Sequence, residues 1–122
     1  MLEREIEAAV CAYAKSRGFL TYKFSSPNHI GVPDRMFLAP YQQAFWIEFK
    51  REGGTATPVQ ERECLKIRNC GFEVYLIDNV EDGKEVIDNH FEMAEMSKVA
   101  YAMGKLFVEA QRQDESDHET KH

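Results

Sequence analysis

The first part of the chain shows one helical pattern followed by a short strand pattern. Residues 3–17 place apolar or small side chains three and four residues apart, which predicts an amphipathic helix that ends at Gly18. Residues 19–24 are rich in aromatic and β-prone side chains and predict a strand. Residues 25–31 contain Ser, Pro, Asn and Gly in succession, so they predict a loop.

A hairpin and a capped helix are predicted next. The hairpin strands are expected at residues 35–39 and 45–51, joined by a short polar turn. The segment Thr57-Pro58-Val59-Gln60 fits a helix N-terminus, with Thr as the cap, Pro at the first helical position and Gln three residues after the cap. This helix is expected to reach about Asn69.

The following residues complete a mixed α/β pattern. Residues 72–77 are mostly apolar and predict an interior strand, and residues 80–89 predict a short helix. The element order α-β-β-β-α-β predicts an α/β fold, with a mixed central β-sheet flanked by helices. A helix separates the last two strands, so we expect them to lie parallel through a right-handed crossover.

The C-terminal residues carry a pattern of their own. Within residues 91–112, apolar side chains follow 3-4-3-4-3 spacing, which predicts a helix that either packs back on its own domain or serves a subunit interface; they are Met93, Met96, Ala100, Met103, Phe107 and Ala110. Residues 113–122 are polar throughout and predict a disordered tail. We therefore expect one core at residues 1–90, an extra helix at 91–112 and a tail.

Composition limits the class of protein. The length of 122 residues fits one domain, and the sequence has no apolar run of the roughly 20 residues that span a bilayer. The charged N-terminus predicts a helix start and not a secretory signal. The three cysteines are odd in number and lack CxxC spacing, which argues for reduced thiols in the cytoplasm and against a zinc site or a disulfide framework.

The distribution of charge bears on nucleic-acid binding. The formal charge of -6 is unusual for a DNA-binding protein. Residues 1–77, however, carry ten Lys and Arg against nine Asp and Glu, whereas residues 78–122 carry five against twelve. The charge therefore neither excludes nor supports a nucleic-acid partner.

Two short segments carry the candidate chemistry. Gly31-Val32-Pro33-Asp34 is followed fourteen residues later by Glu48-Phe49-Lys50. Side chains alternate along a strand, so Glu48 and Lys50 project together, and hairpin pairing brings Asp34 beside Glu48. Adjacent carboxylates repel unless a cation joins them, and hard oxygen ligands suit Mg²⁺ or Mn²⁺. Together with an ammonium that stabilises charge on phosphorus, the trio predicts phosphodiester hydrolysis.

From about Glu3 to Asp78 the chain resembles the virus-type replication-repair nuclease (VRR-NUC) family of the PD-(D/E)xK superfamily. The matching segments, in order, are residues 23–27 (KFSSP), 31–35 (GVPDR), 47–50 (IEFK), Gly53-Gly54, Thr57-Pro58 with Gln60, and 71–74 (GFEV). The resemblance implies a restriction-endonuclease-like core. It also implies that Asp34 and Glu48 are metal ligands, Lys50 is the catalytic lysine, and the main-chain carbonyl of Phe49 is a further ligand.

Two further side chains have open assignments. The family pattern places a glutamate on the first helix, where Glu3 and Glu7 share one face; we favour Glu7 as the ligand because it is closer to the following strand. Gln60 has two alternative roles: it completes a capping box with Thr57, or it faces the active site as the family resemblance suggests.

Residues beside the motif are candidates for substrate contact. Lys23, Arg35 and Arg51 flank the catalytic strands and are predicted to bind DNA phosphates, with an ordinary surface position as the alternative. Trp46 shares a strand face with Glu48 and Lys50, so it either borders the site or packs under the first helix, and we expect the second.

The residues and the family resemblance together predict a Mg²⁺- or Mn²⁺-dependent endonuclease. Stand-alone members of that family resemble Holliday-junction resolvases in acting as dimers, so the resemblance implies a homodimeric resolvase that acts on branched DNA. The two-fold symmetry of a homodimer suits the symmetry of a four-way junction. The alternatives are a nuclease for flaps or other simple structures, and a DNA-binding module of the same fold without catalysis. No membrane partner is expected.

Overall fold

A computed structural model describes residues 1–26, 28–41 and 43–120, with the side chains of residues 119 and 120 left out. The elements, in chain order, are α1 (Glu3–Ser16), β1 (Leu20–Lys23), β2 (Arg35–Ala39), β3 (Gln43–Phe49), α2 (Pro58–Asn69), β4 (Glu73–Ile77) and α3 (Val80–Thr120). None of the helices in this described part is long and apolar enough to cross a membrane.

The four strands form one mixed sheet in the order β1-β2-β3-β4. The pairs β1–β2 and β2–β3 are antiparallel, whereas β3 and β4 are parallel and are joined through α2. The predicted α/β class and the predicted parallel pair are therefore confirmed.

The core lies on the sheet face that α1 and α3 cover. The rings of Phe37 and Phe45 stack there at 5.1 Å between centroids, and both residues are fully buried. Helices α1 and α3 approach each other closely at Gly83, since a Cβ atom at this position would lie only 2.4 Å from Val10 Cγ2. This packing fixes α1 above the strands that carry the predicted site.

Trp46 occupies the opposite sheet face, because its neighbours Phe45 and Ile47 both point into the core. It meets Phe24 edge-on at 5.1 Å between ring centroids and does not pack under α1. The expectation that Trp46 packs under the first helix was wrong. Side chains alternate along β3, so Trp46 and Glu48 both lie on the face that points away from this helix.

Residues 80–120 form one continuous helix, where the sequence predicted two helices and a disordered tail. Buried Ile87 and Ala94 lie on the two sides of the expected break and buried His90 lies within it, so packing against the sheet carries the helix through it. The helix also includes residues 113–120, where Gln113 Nε2 donates to Asp117 Oδ1 at 3.0 Å. Residues 121 and 122 of the predicted tail lie outside the described residues.

Buried His90 gives the fold a predicted dependence on pH. The ring stacks on Phe45 at 3.9 Å between centroids, its Nε2 lies 2.8 Å from Tyr75 Oη, and burial lowers its pKa from the usual 6.5 although Glu73 acts in the opposite direction. Below about pH 6.5 the histidine binds a proton in the unfolded chain more readily than in the folded protein. The neutral, buried His90 therefore contributes its full stability above that pH, and this stability is lost as the pH falls through the pKa of the folded state.

We expect His90→Gln to remove that part of the pH dependence. Urea unfolding of the variant and of the native chain should be measured between about pH 5 and pH 7, where an unperturbed histidine titrates. The difference between the two free energies of unfolding isolates His90 from carboxylates that titrate nearby. A difference that stays constant across this range would contradict the prediction.

Candidate active site

Asp34 is positioned by backbone pairing at the start of β2. The Phe24 amide donates to the Asp34 carbonyl at 2.7 Å, which extends the β1–β2 ladder by one step. In the antiparallel β2–β3 register Arg35 lies opposite Ile47. Asp34 precedes Arg35 and Glu48 follows Ile47, so the same register brings Asp34 opposite Glu48 near the end of β3. The sheet therefore holds the two carboxylates at one place.

The loop before Asp34 packs against α2. Gly31 has φ +92°, and a Cβ atom there would lie 2.7 Å from Val59 Cγ1 and 2.9 Å from the Val59 carbonyl oxygen. Only glycine fits this approach without strain. His29 Nε2 also lies 2.9 Å from Glu63 Oε1. These contacts join the loop that leads to Asp34 with the helix that carries Gln60.

Glu48, Lys50 and Gln60 form one hydrogen-bonded group. Lys50 Nζ donates to Gln60 Oε1 at 2.8 Å and lies 3.6 Å from Glu48 Oε1, while Gln60 Nε2 donates to the same Glu48 oxygen at 3.1 Å. The Lys50 amide also donates to the Ile77 carbonyl at 2.9 Å, although β3 itself ends at Phe49 rather than at residue 51. The parallel neighbour β4 thus fixes the backbone of Lys50.

Gln60 makes the contacts that both alternatives require, with Thr57 in the capping box and with Lys50 and Glu48 in the candidate site. Its Oε1 accepts from the Thr57 amide at 2.9 Å, and its own amide donates to Thr57 Oγ1 at 3.2 Å, which completes the capping box. The same Oε1 accepts from Lys50. Because an oxygen has two lone pairs, helix capping and active-site positioning are compatible in one side chain.

Burial and neighbouring negative charges raise the pKa values of the Asp34 and Glu48 carboxyl groups in the metal-free protein. Burial raises the pKa of Asp34, and the charge of Glu7 adds to this effect, while Lys23 opposes it. Burial likewise raises the pKa of Glu48, the charge of Asp34 adds to it, and Lys50 opposes it. Both groups would be stabilised as anions by a cation between them.

The donor set fits a hard divalent cation. Asp34 Oδ1 is buried and has no hydrogen-bond partner among the described residues, which is uncommon for a buried polar atom and is expected where an ion binds. Within the same part of the chain, no three His, Cys, Asp or Glu side chains are grouped closely enough to hold a metal. Asp34 and Glu48 would therefore need oxygen from the main chain or from solvent, which suits Mg²⁺ or Mn²⁺.

Glu7 points toward this region but has a partner of its own. Its Oε1 accepts from Arg35 Nε at 3.0 Å and from Arg35 Nη2 at 2.8 Å, and both side chains are mostly buried. The guanidinium of Arg35 is thus engaged by a carboxylate rather than presented alone to a phosphate. Glu7 affects Asp34 through its charge, and its predicted role as a ligand would require Arg35 to be shared or displaced.

An open cleft of about 510 Å³ leads to Asp34. Its lining includes Lys23 and Arg51, the predicted phosphate contacts, and also Glu3 and Glu7 from α1. Arg4 lines the cleft as well, which the sequence analysis missed. The signal was available, because Arg4 and Glu7 are three residues apart and so share a helical face.

The double role of Gln60 leads to a prediction with a built-in control. Thr57→Ala should remove only the cap, lowering stability by about 1 kcal/mol and leaving any catalysis intact. Gln60→Ala should keep the main-chain bond to Thr57 Oγ1, lose the other half of the capping box, and also release Lys50 and Glu48. We expect it to lower the rate of DNA cleavage well beyond the effect of Thr57→Ala, in assays that compare the two variants at equal folded fraction. Equal rates would show that Gln60 acts only as a capping residue.

Comparison of the sequence with known proteins finds a phage relative. Over 77 residues the chain is 34% identical to a protein described as "Putative nuclease p44" from Acyrthosiphon pisum secondary endosymbiont phage 1, covering 63% of this chain and 83% of that protein. No protein-family profile matches the chain.

Solved structures share the fold. A structure described as "VRR_NUC domain" superimposes with a TM-score of 0.66 at 23% identity, covering 70% of this chain and 94% of that one. A second, "VRR_NUC domain protein", has a TM-score of 0.64 at 18% identity and covers 75% and 89% of the two chains. The chain therefore belongs to the same family as this phage protein, and it has the fold of VRR-NUC domains.

Proposed function

We propose that this protein is a Mg²⁺- or Mn²⁺-dependent DNA endonuclease that hydrolyses phosphodiester bonds in branched DNA as a Holliday-junction resolvase. The observation that carries the proposal is the buried Asp34 Oδ1, which lacks a hydrogen-bond partner among the described residues and lies at the sheet end that carries Glu48 and Lys50. The VRR-NUC fold and the name of the phage relative support nuclease activity.

The proposed metal holders are Asp34, Glu48 and the main-chain carbonyl of Phe49, with Glu7 as a further candidate. A bound Mg²⁺ or Mn²⁺ supplies positive charge to phosphate oxygens and makes water a better nucleophile at neutral pH. The sheet presents the Asp34 and Glu48 carboxylates together. Gln60 Nε2 donates a hydrogen bond to Glu48 Oε1 and so orients the Glu48 carboxylate.

Lys50 is the proposed electrostatic catalyst. Its ammonium is mostly shielded, with a side-chain exposure of 16%, so its charge is weakly screened. One of its protons is donated to Gln60 Oε1, which fixes the direction of the side chain. The remaining protons are available to a phosphate oxygen that gains charge during hydrolysis, the arrangement that lowers barriers most effectively.

Recognition of DNA on this proposal depends on shape more than on charge. The cleft cations Arg4, Lys23 and Arg51 contact the phosphate backbone, which carries no sequence information. The net charge of -6 gives little general attraction to DNA. A homodimer with two sites would read the geometry of a four-way junction and place paired cuts on opposing strands.

The test uses the full chain with three labelled substrates: a four-way junction, a flap and a linear duplex, each with Mn²⁺ or with EDTA. We expect paired cuts in the junction with Mn²⁺ and none with EDTA. Preference for the flap, or single nicks in the junction, would replace the resolvase with a simpler structure-specific nuclease. Binding to DNA without cleavage under any divalent metal would leave a DNA-binding module.

A further inference from the structure

Helix α3 has one side that is fixed to its own domain. Gly83, Ile87, His90 and Ala94 are buried and are spaced three and four residues apart, so they form a single line along the helix. Further along the helix on this side, the ring of Tyr101 lies 6.2 Å from that of Tyr41 in the hairpin turn. Every described side chain from residue 102 to residue 118 is exposed.

The apolar residues of the second half lie on the other side of the helix. At about 100° per residue they are centred roughly opposite the buried line; we call them the outward face, and they are Met96, Val99, Ala100, Met103, Leu106, Phe107 and Ala110. Met96 is 73% exposed, Met103 65% and Phe107 62%. The helix therefore does not pack back on its own domain through this face, although Ala94 near the start of the segment does pack on the core.

An unpaired helix of this kind is poorly stable by itself. Residues 102–120 extend about 28 Å beyond the last ring contact with the domain, and helices in water gain most of their stability from packing of an apolar face. Gly104 weakens this segment further, and Asp114 and Glu115 lie near the C-terminal end, where negative charge is unfavourable to a helix. Burial of the outward face would supply the missing stabilisation.

We propose that the outward face of α3 pairs with the same face of a second copy of this chain, with the two helices antiparallel. Aligned end to end over residues 93–110, this arrangement sets Met96 against Phe107 and Ala100 against Met103, and Met93 against Ala110. Two of these three layers join a large side chain with a small one, which fills space evenly. A parallel pair would instead stack Ala100 on Ala100 and Phe107 on Phe107.

The acidic residues of the helix favour the same arrangement. Asp114 follows Ala110 by four residues and continues the outward face, so a parallel pair would bring the two Asp114 carboxylates together. In the antiparallel pair Asp114 lies opposite the exposed amide of Asn89. An anionic membrane is a poor occupant for this face, because Glu92 and Asp114 lie at its two ends.

The first experiment measures the molar mass of the full chain by light scattering at micromolar concentration, and it does not depend on nuclease activity. We expect twice the chain mass of 14.1 kDa for the native protein and for Val108→Glu, which alters the same helix on the side of the buried line. Met103→Glu should reduce the mass to that of one chain. Circular dichroism and a thermal melt of the sheet domain check that both variants remain folded.

A native monomer, or a dimer that survives Met103→Glu, would overturn the proposal. The second of these outcomes would place any dimer interface on the nuclease core instead. Failure of DNA cleavage with the α3 dimer intact would overturn the proposed function alone, so the two proposals are separable.

The second experiment tests orientation by disulfide formation in a Cys70→Ser background, because Cys70 is exposed while Cys11 and Cys64 are buried. Ala100→Cys and Met103→Cys are made in separate chains. We expect cross-linking when the two chains are mixed and refolded together, and little in either chain alone. Cross-linking of each variant with itself would overturn the antiparallel arrangement.

Discussion

Replacing Lys50 with alanine should reduce DNA cleavage at least about 10²-fold while the protein stays folded, because removal of a single group that stabilises transition-state charge has an effect of this size. The variant loses the ammonium that Gln60 holds at 2.8 Å beside Glu48. Lys15→Ala is the matched control, since Lys15 is an exposed lysine on the back of α1. Cleavage of a four-way junction with Mn²⁺ is the measurement.

The Lys50 variant also separates catalysis from metal binding. Lys50 opposes the rise in the pKa of Glu48 that burial and Asp34 cause, so its removal makes Glu48 easier to protonate. In calorimetry at pH 8 the variant should still bind Mn²⁺, although cleavage is lost. Cleavage near the native rate would remove Lys50 from the mechanism, and complete loss of Mn²⁺ binding would show that its role is to maintain the carboxylates.

Local patterns predicted the fold of residues 1–90 well because the relevant signals are local. The cap at Thr57, the proline after it and strand alternation in β3 each act within a few residues, and the structure contains the elements they indicate. Alternation also predicted that Glu48 and Lys50 would lie together. Hairpin pairing predicted that Asp34 would lie beside Glu48, and the family resemblance added the roles of these residues, which no local pattern determines.

The errors arose where tertiary contacts decide the structure. Periodicity alone could not show that His90 and Ala94 would carry α3 through the expected break, because their burial depends on the sheet beneath them. It could not show which way the apolar side of α3 would face. The hydrogen-bonded ion pair between Glu7 and Arg35 joins residues 28 positions apart in the sequence, and no local sequence pattern around either residue indicated it.

Asp34→Asn should weaken Mn²⁺ binding at least about tenfold. Even substitutions of residues that only hydrogen-bond to a metal ligand lower metal affinity by about 10- to 100-fold. The substitution removes a charged oxygen ligand whose Oδ1 is buried and lacks a hydrogen-bond partner among the described residues. The side chains have nearly the same shape, so the loop and β2 should keep their positions. Calorimetry with Mn²⁺ provides the measurement, and an unchanged affinity would count against Asp34 as a ligand.

The same substitution should stabilise the metal-free protein at neutral pH. Burial and the charge of Glu7 raise the pKa of Asp34 in the folded state above its value in the unfolded chain. Such a group contributes its stability fully below the unfolded pKa and loses it as the pH rises through the folded pKa. Asparagine is neutral throughout, so the advantage of the variant should be absent in acid, grow as the pH rises through the folded pKa, and then level off.

Urea unfolding in EDTA across this pH range tests the sign directly. Glu85→Gln is the control, because it removes one negative charge from an exposed position on α3 outside residues 93–110 and leaves the buried carboxylates untouched. With saturating Mn²⁺ the order should reverse, because the metal binds the native folded state more tightly than the variant and so adds more stability to it. An Asp34→Asn variant that is less stable than the native chain in EDTA at neutral pH would show that the ionised carboxylate is already well accommodated, and that a metal ion is not needed to offset its burial.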